Sequence, residues 1–293
     1  MYYRRKILLA MLQEFGGRLN GTDFQKYLFL LTQEQDKPSF DFVPYKFGGF
    51  SFQSYADKRT MVGYCLLKNS ENWSANDKTD YMVQLTPHDR QSILKIKQEC
   101  GELKGKNLVR HVYRKYPYYA IKSEIAADCL SKDELAEVNK CKPTQSNYTF
   151  FTIGYEGKSF DHYLNQLVEN NIHVLCDVRK NPFSMKYGFS KSQLEDACNK
   201  LGITYIHFPE LGIESEKRKN LEDKTDYEKL FKDYEKKTLP ANKASLEKLY
   251  QLFLKNKRIA ITCFEADHTF CHRHKIAKQI EKQPNWAFKI EHI

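Results

Sequence analysis

Twelve consecutive residues, Thr262-Cys263-Phe264-Glu265-Ala266-Asp267-His268-Thr269-Phe270-Cys271-His272-Arg273, gather more reactive chemistry than any other stretch of this sequence. They offer two thiols, two carboxylates, two imidazoles and a guanidinium. The apolar run Arg258 to Ile261 precedes them and reads as a short buried strand. Lys275-Ile276-Ala277-Lys278-Gln279-Ile280 follows and reads as a helix with one apolar face. A strand end, a polar turn and a helix start coincide here, as they do where open α/β sheets place ligands and reacting side chains.

Two earlier apolar runs end in the same way, one in Gly154-Tyr155-Glu156-Gly157 and one in Asp177-Val178-Arg179-Lys180-Asn181-Pro182. In a doubly wound sheet such ends open into one crevice, which would set Asp177 and Glu265 face to face with Tyr155 and Arg179 alongside. A carboxylate that stabilises an oxocarbenium-like sugar or activates water suits hydrolysis of an N-glycosidic bond. Asp177 and Glu265 take that role, Tyr155 stacks on or bonds an extruded base, and Arg179 grips a phosphate. A nuclease would instead hold Mg²⁺ on Glu156, Asp177 and Glu265, with Lys158 or Lys180 near the scissile phosphate. No compact acidic motif sharpens that alternative. A third reading is a non-catalytic sensor that binds nucleic acid or a nucleotide.

Each residue also has a plainer reading. Asp177 and Arg179 suit a structural ion pair across neighbouring loops. Cys271, flanked by His272 and Arg273, could be a thiol nucleophile, since nearby cations depress a thiol pKa. Cys263 closes an apolar strand, where a thiol behaves as a small hydrophobe. A zinc site drawn from Cys263, His268, Cys271, His272 and His274 matches no common ligand spacing, so packing roles are favoured and neither metal nor cofactor is expected. Arg273 opens a helix, where the dipole does not favour a cation, which points to a binding role.

The elements that must position these residues follow from periodicity. From Tyr148 onward, strands alternate with helices. The strands are Tyr148 to Ile153, Ile172 to Val178, Ile203 to His207, Arg258 to Cys263 and a closing Ala287 to Ile290. Between them lie helices at Phe160 to Asn170, at Ser190 to Leu201 with Ser190 as cap, and at Phe270 to Glu281. Asp226 to Lys237 and Asn242 to Asn256 form a helical insertion. Such alternation means a mostly parallel sheet covered on both faces. Lys217-Arg218-Lys219 reads as a solvated loop.

Before this, a polar linker around Lys140-Cys141-Lys142-Pro143 divides the chain into domains of residues 1–145 and 146–293. In the first, Ile7, Leu8, Met11, Leu12 and Phe15 share one helical face, which Gly16-Gly17 ends. A second helix carries Phe24, Tyr27, Leu28 and Leu31. The aromatic, glycine-broken run Phe40 to Phe52 reads as a strand pair. Helix, turn, helix and strand pair predict a smaller winged-helix-like α+β domain, against the alternative of a plain helical domain with an aromatic core. Between Glu102 and Glu124 no acidic residue occurs, while Lys104, Lys106, Arg110, Arg114, Lys115 and Lys122 do, interleaved with Tyr113, Tyr116, Tyr118 and Tyr119. Cations contact phosphates and tyrosines stack on bases; the alternative is a solvated helix face with its tyrosines turned inward.

Composition narrows the class. The chain's 293 residues, 41% of them hydrophobic, suffice for two folded domains. Its net charge of +10 points to a polyanionic partner. Both halves carry more Lys and Arg than Asp and Glu, 23 against 17 up to residue 147 and 24 against 20 after it. The eight cysteines are scattered without a CxxC pair, as suits reduced thiols in the cytoplasm. No apolar run reaches the ~20 residues of a membrane span. The run Ile7 to Leu12 continues into Gln13-Glu14 at helical spacing, as a helix does and a signal peptide does not.

Thr152-Ile153-Gly154-Tyr155-Glu156, Asp177-Val178-Arg179 with Pro182, Pro209-Glu210-Leu211-Gly212, and Cys263-x-Glu265 followed by Cys271-His272-Arg273 together resemble the domain-of-unknown-function 488 family over about residues 150–280. The resemblance implies a Rossmann-like α/β domain in bacterial settings of defence against foreign DNA, and it implies no agreed reaction. Met185 stands where relatives often carry a basic residue. The resulting expectation is a cytoplasmic DNA-acting enzyme that excises a modified base. Asp177, Glu265 and Tyr155 react; Gly154, Glu156, Arg179, Pro182, Cys271, His272 and Arg273 bind substrate. Lys104, Lys106, Arg110, Arg114, Lys115, Tyr116 and Lys122 hold duplex DNA.

Overall fold

A computed structural model describes residues 1–218, 224–284 and 286–293. The chain divides into two compact units, Met1–Lys142 and Pro143–Ile293.

Polar caps and glycine stops set the helices of the first unit. Helix α1 (Tyr3–Glu14) ends where Gly16 and Gly17 adopt positive φ, a backbone conformation that glycine reaches without strain. After the short strand β1 (Arg18–Leu19), Asn20 caps α2 (Gly21–Glu34) by accepting the Asp23 backbone N–H at 2.8 Å. Strands β2 (Val43–Tyr45) and β3 (Gly48–Phe50) form an antiparallel hairpin within the aromatic run read as a strand pair. Ser51 caps α3 (Phe52–Gly63), and β4 (Trp73–Ser74) returns to pair with β1. Helices α4 (Pro87–Cys100), α5 (Lys106–Lys115), α6 (Ala126–Cys129) and α7 (Lys132–Lys140) complete the unit, α7 opening on a Ser131–Glu134 capping box. Every residue of α2 from Asp23 to Thr32 is buried. It is the unit's central helix, and Trp73 stacks on its Phe24 with ring centres 3.5 Å apart. A helix that reads DNA needs an exposed face, so the second helix does not fill that role, and the described elements do not define a winged helix.

The second unit holds five parallel strands in the order β7-β6-β8-β5-β9. In chain order they are β5 (Thr149–Gly154), β6 (Val174–Asp177), β7 (Thr204–His207), β8 (Arg258–Cys263) and β9 (Lys289–His292). Each of the first four starts or ends within two residues of its predicted bounds. The connecting helices are α8 (Phe160–Glu169), α9 (Lys191–Lys200), α10 (Lys224–Asp233), α11 (Leu239–Ala241), α12 (Lys243–Asn256) and α13 (Arg273–Glu281). This is the mixed α/β, Rossmann-like sheet that the alternating pattern predicts. Ser190 stands at the start of α9 but makes no cap bond; its hydroxyl instead joins both backbone groups of Ser184 and ties up the loop after β6. Of the basic triplet 217–219, Lys217 and Arg218 lie in the turn Ser215–Arg218, and Lys219 falls outside the described residues.

Strand alternation sorts side chains to two faces. On one, Phe150, Cys176, Ile259, Ile261 and Cys263 meet Phe253 of α12 and Ile276 and Ile280 of α13 in a buried apolar core. On the other, the Tyr163 hydroxyl of α8 donates to Thr262 at 2.7 Å. Among the described residues no helix is long and apolar enough to cross a membrane.

Candidate functional site

The carboxyl ends of β7, β6, β8 and β5 are consecutive neighbours, so the polar residues that follow them converge on one edge of the sheet. Alternation then separates them. Asp177 is paired with Thr262 in the ladder and shares its face, whereas Cys263, one residue on, faces the opposite core. Asp177 and Cys263 therefore face opposite sides of the sheet; the Glu265 carboxylate lies 3.5 Å from the Cys263 sulfur, while Asp177 faces Arg179.

Asp177 is fully buried and turned to Arg179. The Arg179 Nε donates to both carboxylate oxygens (2.9 and 3.1 Å), its Nη2 to Oδ2 (2.5 Å), and its backbone N–H to Oδ1 (3.0 Å). The Tyr205 hydroxyl adds a further donor to Oδ2 at 2.7 Å. Burial works to lower the Arg179 pKa, but the bonds and charge of Asp177 outweigh it and raise the guanidinium overall. Its Nη1 donates to the Tyr155 hydroxyl (2.9 Å) and the Phe189 carbonyl (2.8 Å). Asp177 and Arg179 form the ion pair of the plainer reading: Arg179 is committed to protein groups, and Asp177 acts through it. Tyr205 was missed by sequence reading. It sits two residues before His207, the ladder partner of Asp177, so only the register reveals it as a same-face neighbour.

Tyr155 is also buried, stacked on Phe189 with centroids 4.2 Å apart and planes 10° apart. Phe264 meets its edge at 5.3 Å and is itself 41% exposed. The aromatic surface open to a ligand is therefore Phe264, with Tyr155 behind it. The Tyr155 carbonyl accepts from the Lys186 ammonium at 2.9 Å. Pro182 lines a shallow hollow with Phe183 and Lys191, and the adjoining Phe183 and Met185 are 74% and 91% exposed.

Glu265 is half-buried, and the backbone around it is clamped from both sides. The backbone N–H groups of Tyr155 and Glu156 donate to the Phe264 carbonyl (3.0 and 2.9 Å). The Glu156 carboxylate accepts the Ala266 N–H at 2.9 Å. Arg273, buried at the start of α13, donates to the carbonyls of Glu265 and, at 2.8 Å, Ala266. That resolves the oddity of a cation at a helix N-terminus: it serves loop carbonyls, and with Glu156 it positions Glu265. The half-buried Lys158 ammonium is pushed down to about 8 by burial and by the nearby Arg273 charge.

Cys263, Cys271 and His272 are buried together, with their ligand atoms all within 4.8 Å of one another. Burial, together with the adjacent Cys263, raises the Cys271 thiol well above its ordinary value, the reverse of an activated nucleophile. Asp267 caps the turn His268–Phe270 through the Thr269 N–H (2.8 Å), and His268 stacks on His292 at 3.7 Å.

In the first unit, Lys104, Lys106, Arg110, Arg114, Lys115 and Lys122 are all exposed. Arg110 and Arg114 both pair with Glu134 at 3.1 Å. The tyrosines between them turn inward. Tyr113 is buried with its hydroxyl 2.7 Å from that of Ser123, and Tyr116 and Tyr119 set their edges against Phe29 at 5.0 and 4.6 Å. Lys115 lies over the Tyr116 ring at 5.5 Å. A cationic face beside an aromatic cluster results, in which Tyr113 is buried and Tyr116, Tyr118 and Tyr119 are half-buried.

No curated protein and no solved structure matches the chain. A family model does match, over residues 159–280, a span that includes the Asp177–Arg179 pair, Glu265 and the Cys271-His272-Arg273 run but begins after Gly154, Tyr155 and Glu156. Over residues 159–280 the C-terminal unit is thus similar to the family described as Domain of unknown function DUF488.

Proposed function

We propose that this protein acts on DNA and excises a modified base by N-glycosidic hydrolysis, with Glu265 as the reacting carboxylate. The observation that carries the reading is the clamping of the 264–266 loop by Tyr155, Glu156 and Arg273, which holds a half-buried carboxylate next to an exposed aromatic ring at the carboxyl edge of a parallel sheet. Preorganised charge at a developing oxocarbenium ion is the chief contribution such a site makes.

In this reading the extruded base lies against Phe264. Water attacks C1′ as the C1′–N bond breaks, and the bonding pair leaves with the base nitrogen. Glu265 takes a proton from the water, and Lys158, with a pKa of about 8, returns one to the base. Phe183 and Met185 supply an apolar wedge for the gap left in the duplex, as flipping a base requires. Asp177 and Arg179 hold Tyr155, and through it Phe264. The exposed cations of α5 and its flanks attract the phosphate backbone without reading sequence. Defence against foreign DNA is the setting proposed for this chemistry.

The test incubates the full-length protein with unmodified DNA and with phage DNA carrying modified cytosines, in Mg²⁺ or in EDTA. Products are resolved with and without hot alkali. Strand breaks that appear only after alkali and do not need Mg²⁺ are expected. Direct breaks that require Mg²⁺ would replace this reading with a nuclease. Salt-sensitive binding without any break would replace it with a sensor.

A further inference from the structure

We propose that Cys263, Cys271 and His272 bind a thiophilic divalent cation, zinc, and that the Oε2 atom of Glu265 completes its coordination. His272 Nδ1 lies 3.7 Å from the Cys263 sulfur and 4.0 Å from that of Cys271. With Zn–S near 2.3 Å and Zn–N near 2.0–2.1 Å, a tetrahedral zinc ion sets its sulfur and nitrogen ligands roughly 3.6 Å apart. The two nitrogen–sulfur separations are within a few tenths of an ångström of that value, and the two sulfurs lie within 4.8 Å of each other, so the three donors already surround one point and a modest contraction would close the site.

The histidine is oriented as a ligand is. Its Nε2 lies 3.0 Å from the Val178 carbonyl, an oxygen that can only accept, so in the neutral ring Nε2 carries the proton. The Nδ1 lone pair then points between two thiols. Metal-binding histidines are fixed in the same way, by donating the second ring N–H to a carbonyl or carboxylate. The Tyr234 ring closes over the imidazole edge-on at 5.6 Å, and all three ligand residues are buried. On the remaining side, Glu265 Oε2 stands 3.5 Å from the Cys263 sulfur.

Two sulfurs and an imidazole select zinc over Mg²⁺ or Ca²⁺, which want oxygen. The ligand spacing, Cys263 and then the adjacent Cys271-His272, belongs to no common motif because the site is assembled in three dimensions. The end of β8 gives one thiol, the approach to α13 gives the rest, and the loop after β6 orients the imidazole. Bound there, the ion would fix Glu265 in place from its side-chain end as Arg273 does from its backbone end. That last role rests on the proposed function; the site itself does not.

The test is metal analysis of full-length protein purified under reducing conditions, desalted and measured by elemental mass spectrometry. About one zinc per chain is expected, as a closed thiolate site retains its ion. Cys263→Ala and Cys271→Ala should each lose it, while Cys176→Ala, also a buried thiol of the sheet, should keep it. Co²⁺ added to metal-free wild-type protein should produce thiolate-to-cobalt charge-transfer absorption, a readout that needs no variant to fold. Wild-type protein that holds less than about a tenth of an ion per chain and gives no such band would overturn the proposal. So would zinc retained by both cysteine variants. Because neither readout uses activity, bound zinc without base excision would sink only the proposed function, and excision without zinc only the metal site.

Discussion

Gly154 and Glu265 are in backbone contact: a Cβ built on Gly154 would lie 1.8 Å from the Glu265 carbonyl oxygen and 2.7 Å from its carbon. The loop that carries Glu265 can lie across the end of β5 only because residue 154 has no side chain. Gly154→Ala must displace that loop, because both partners are backbone. A loss of about 1–3 kcal/mol in unfolding free energy is expected from overpacking alone. Activity should fall further than stability does, since the loop, rather than the core, takes up the shift. Denaturant titration alongside the excision assay checks both; a variant with wild-type activity would show that the close approach does not position Glu265.

Asp177→Asn separates a positioning role from a reacting one. The substitution keeps the shape but leaves the buried Arg179 cation with a neutral partner, and breaking such a pair costs about 3–5 kcal/mol. The expected outcome is a large loss of stability, with activity restored in proportion where the fold is held by low temperature or osmolyte. A variant of wild-type stability with no activity would instead return Asp177 to the reaction.

How much of this was legible beforehand depended on what sets each feature. Strand and helix positions in the second unit follow from local apolar periodicity, so β8 starts at Arg258 and ends at Cys263 where the sequence places it. The edge of the sheet was legible too, because the polar runs after β5, β6 and β8 mark it. What the sequence hides is the face on which each side chain falls. That depends on register, and a shift of one residue moves Asp177 to the other side from Cys263. Tyr205, the second partner of Asp177, is hidden for the same reason. The tyrosines of α5 and the following turn were ambiguous because one helical face can be cationic and its neighbour aromatic whether or not the aromatics stack on bases. Phe29, which receives them, is about ninety residues away in sequence, at a separation that periodicity does not reach.

Lys26 gives the first unit a pH dependence of its own. It is buried in α2, its ammonium 5.8 Å from the centre of the Tyr113 ring, and burial pushes it down from 10.5 to about 7, against a smaller opposing effect of Asp23. Between about pH 7 and 10.5 the unfolded chain holds a proton that the folded one does not. The unit should therefore gain stability as pH rises through that window, by at most about 1.4 kcal/mol per unit, and be least favoured below it. Lys26→Met should remove the slope in urea titrations at pH 7 and 9. An equal slope in the variant would assign the effect to other groups.

Phe183 and Met185 touch little in the free protein, so Phe183→Ala with Met185→Ala should change stability by no more than about 0.5 kcal/mol. A wedge matters where a base must leave a stack. Excision from duplex DNA should drop by an order of magnitude or more, while excision from single strands should be nearly unchanged. Equal loss on both substrates would mean that these residues contact the base rather than the gap.

The central claim is that Glu265 acts in breaking a glycosidic bond, and the most direct measurement is the free base itself. Modified phage DNA would be treated with wild-type protein or with Glu265→Gln, and small products quantified by chromatography with mass detection. Free modified base is expected from the wild type and at least about a hundredfold less from Glu265→Gln, the scale lost with a general base. Release of nucleotides in place of bases, or undiminished base release by Glu265→Gln, would contradict it.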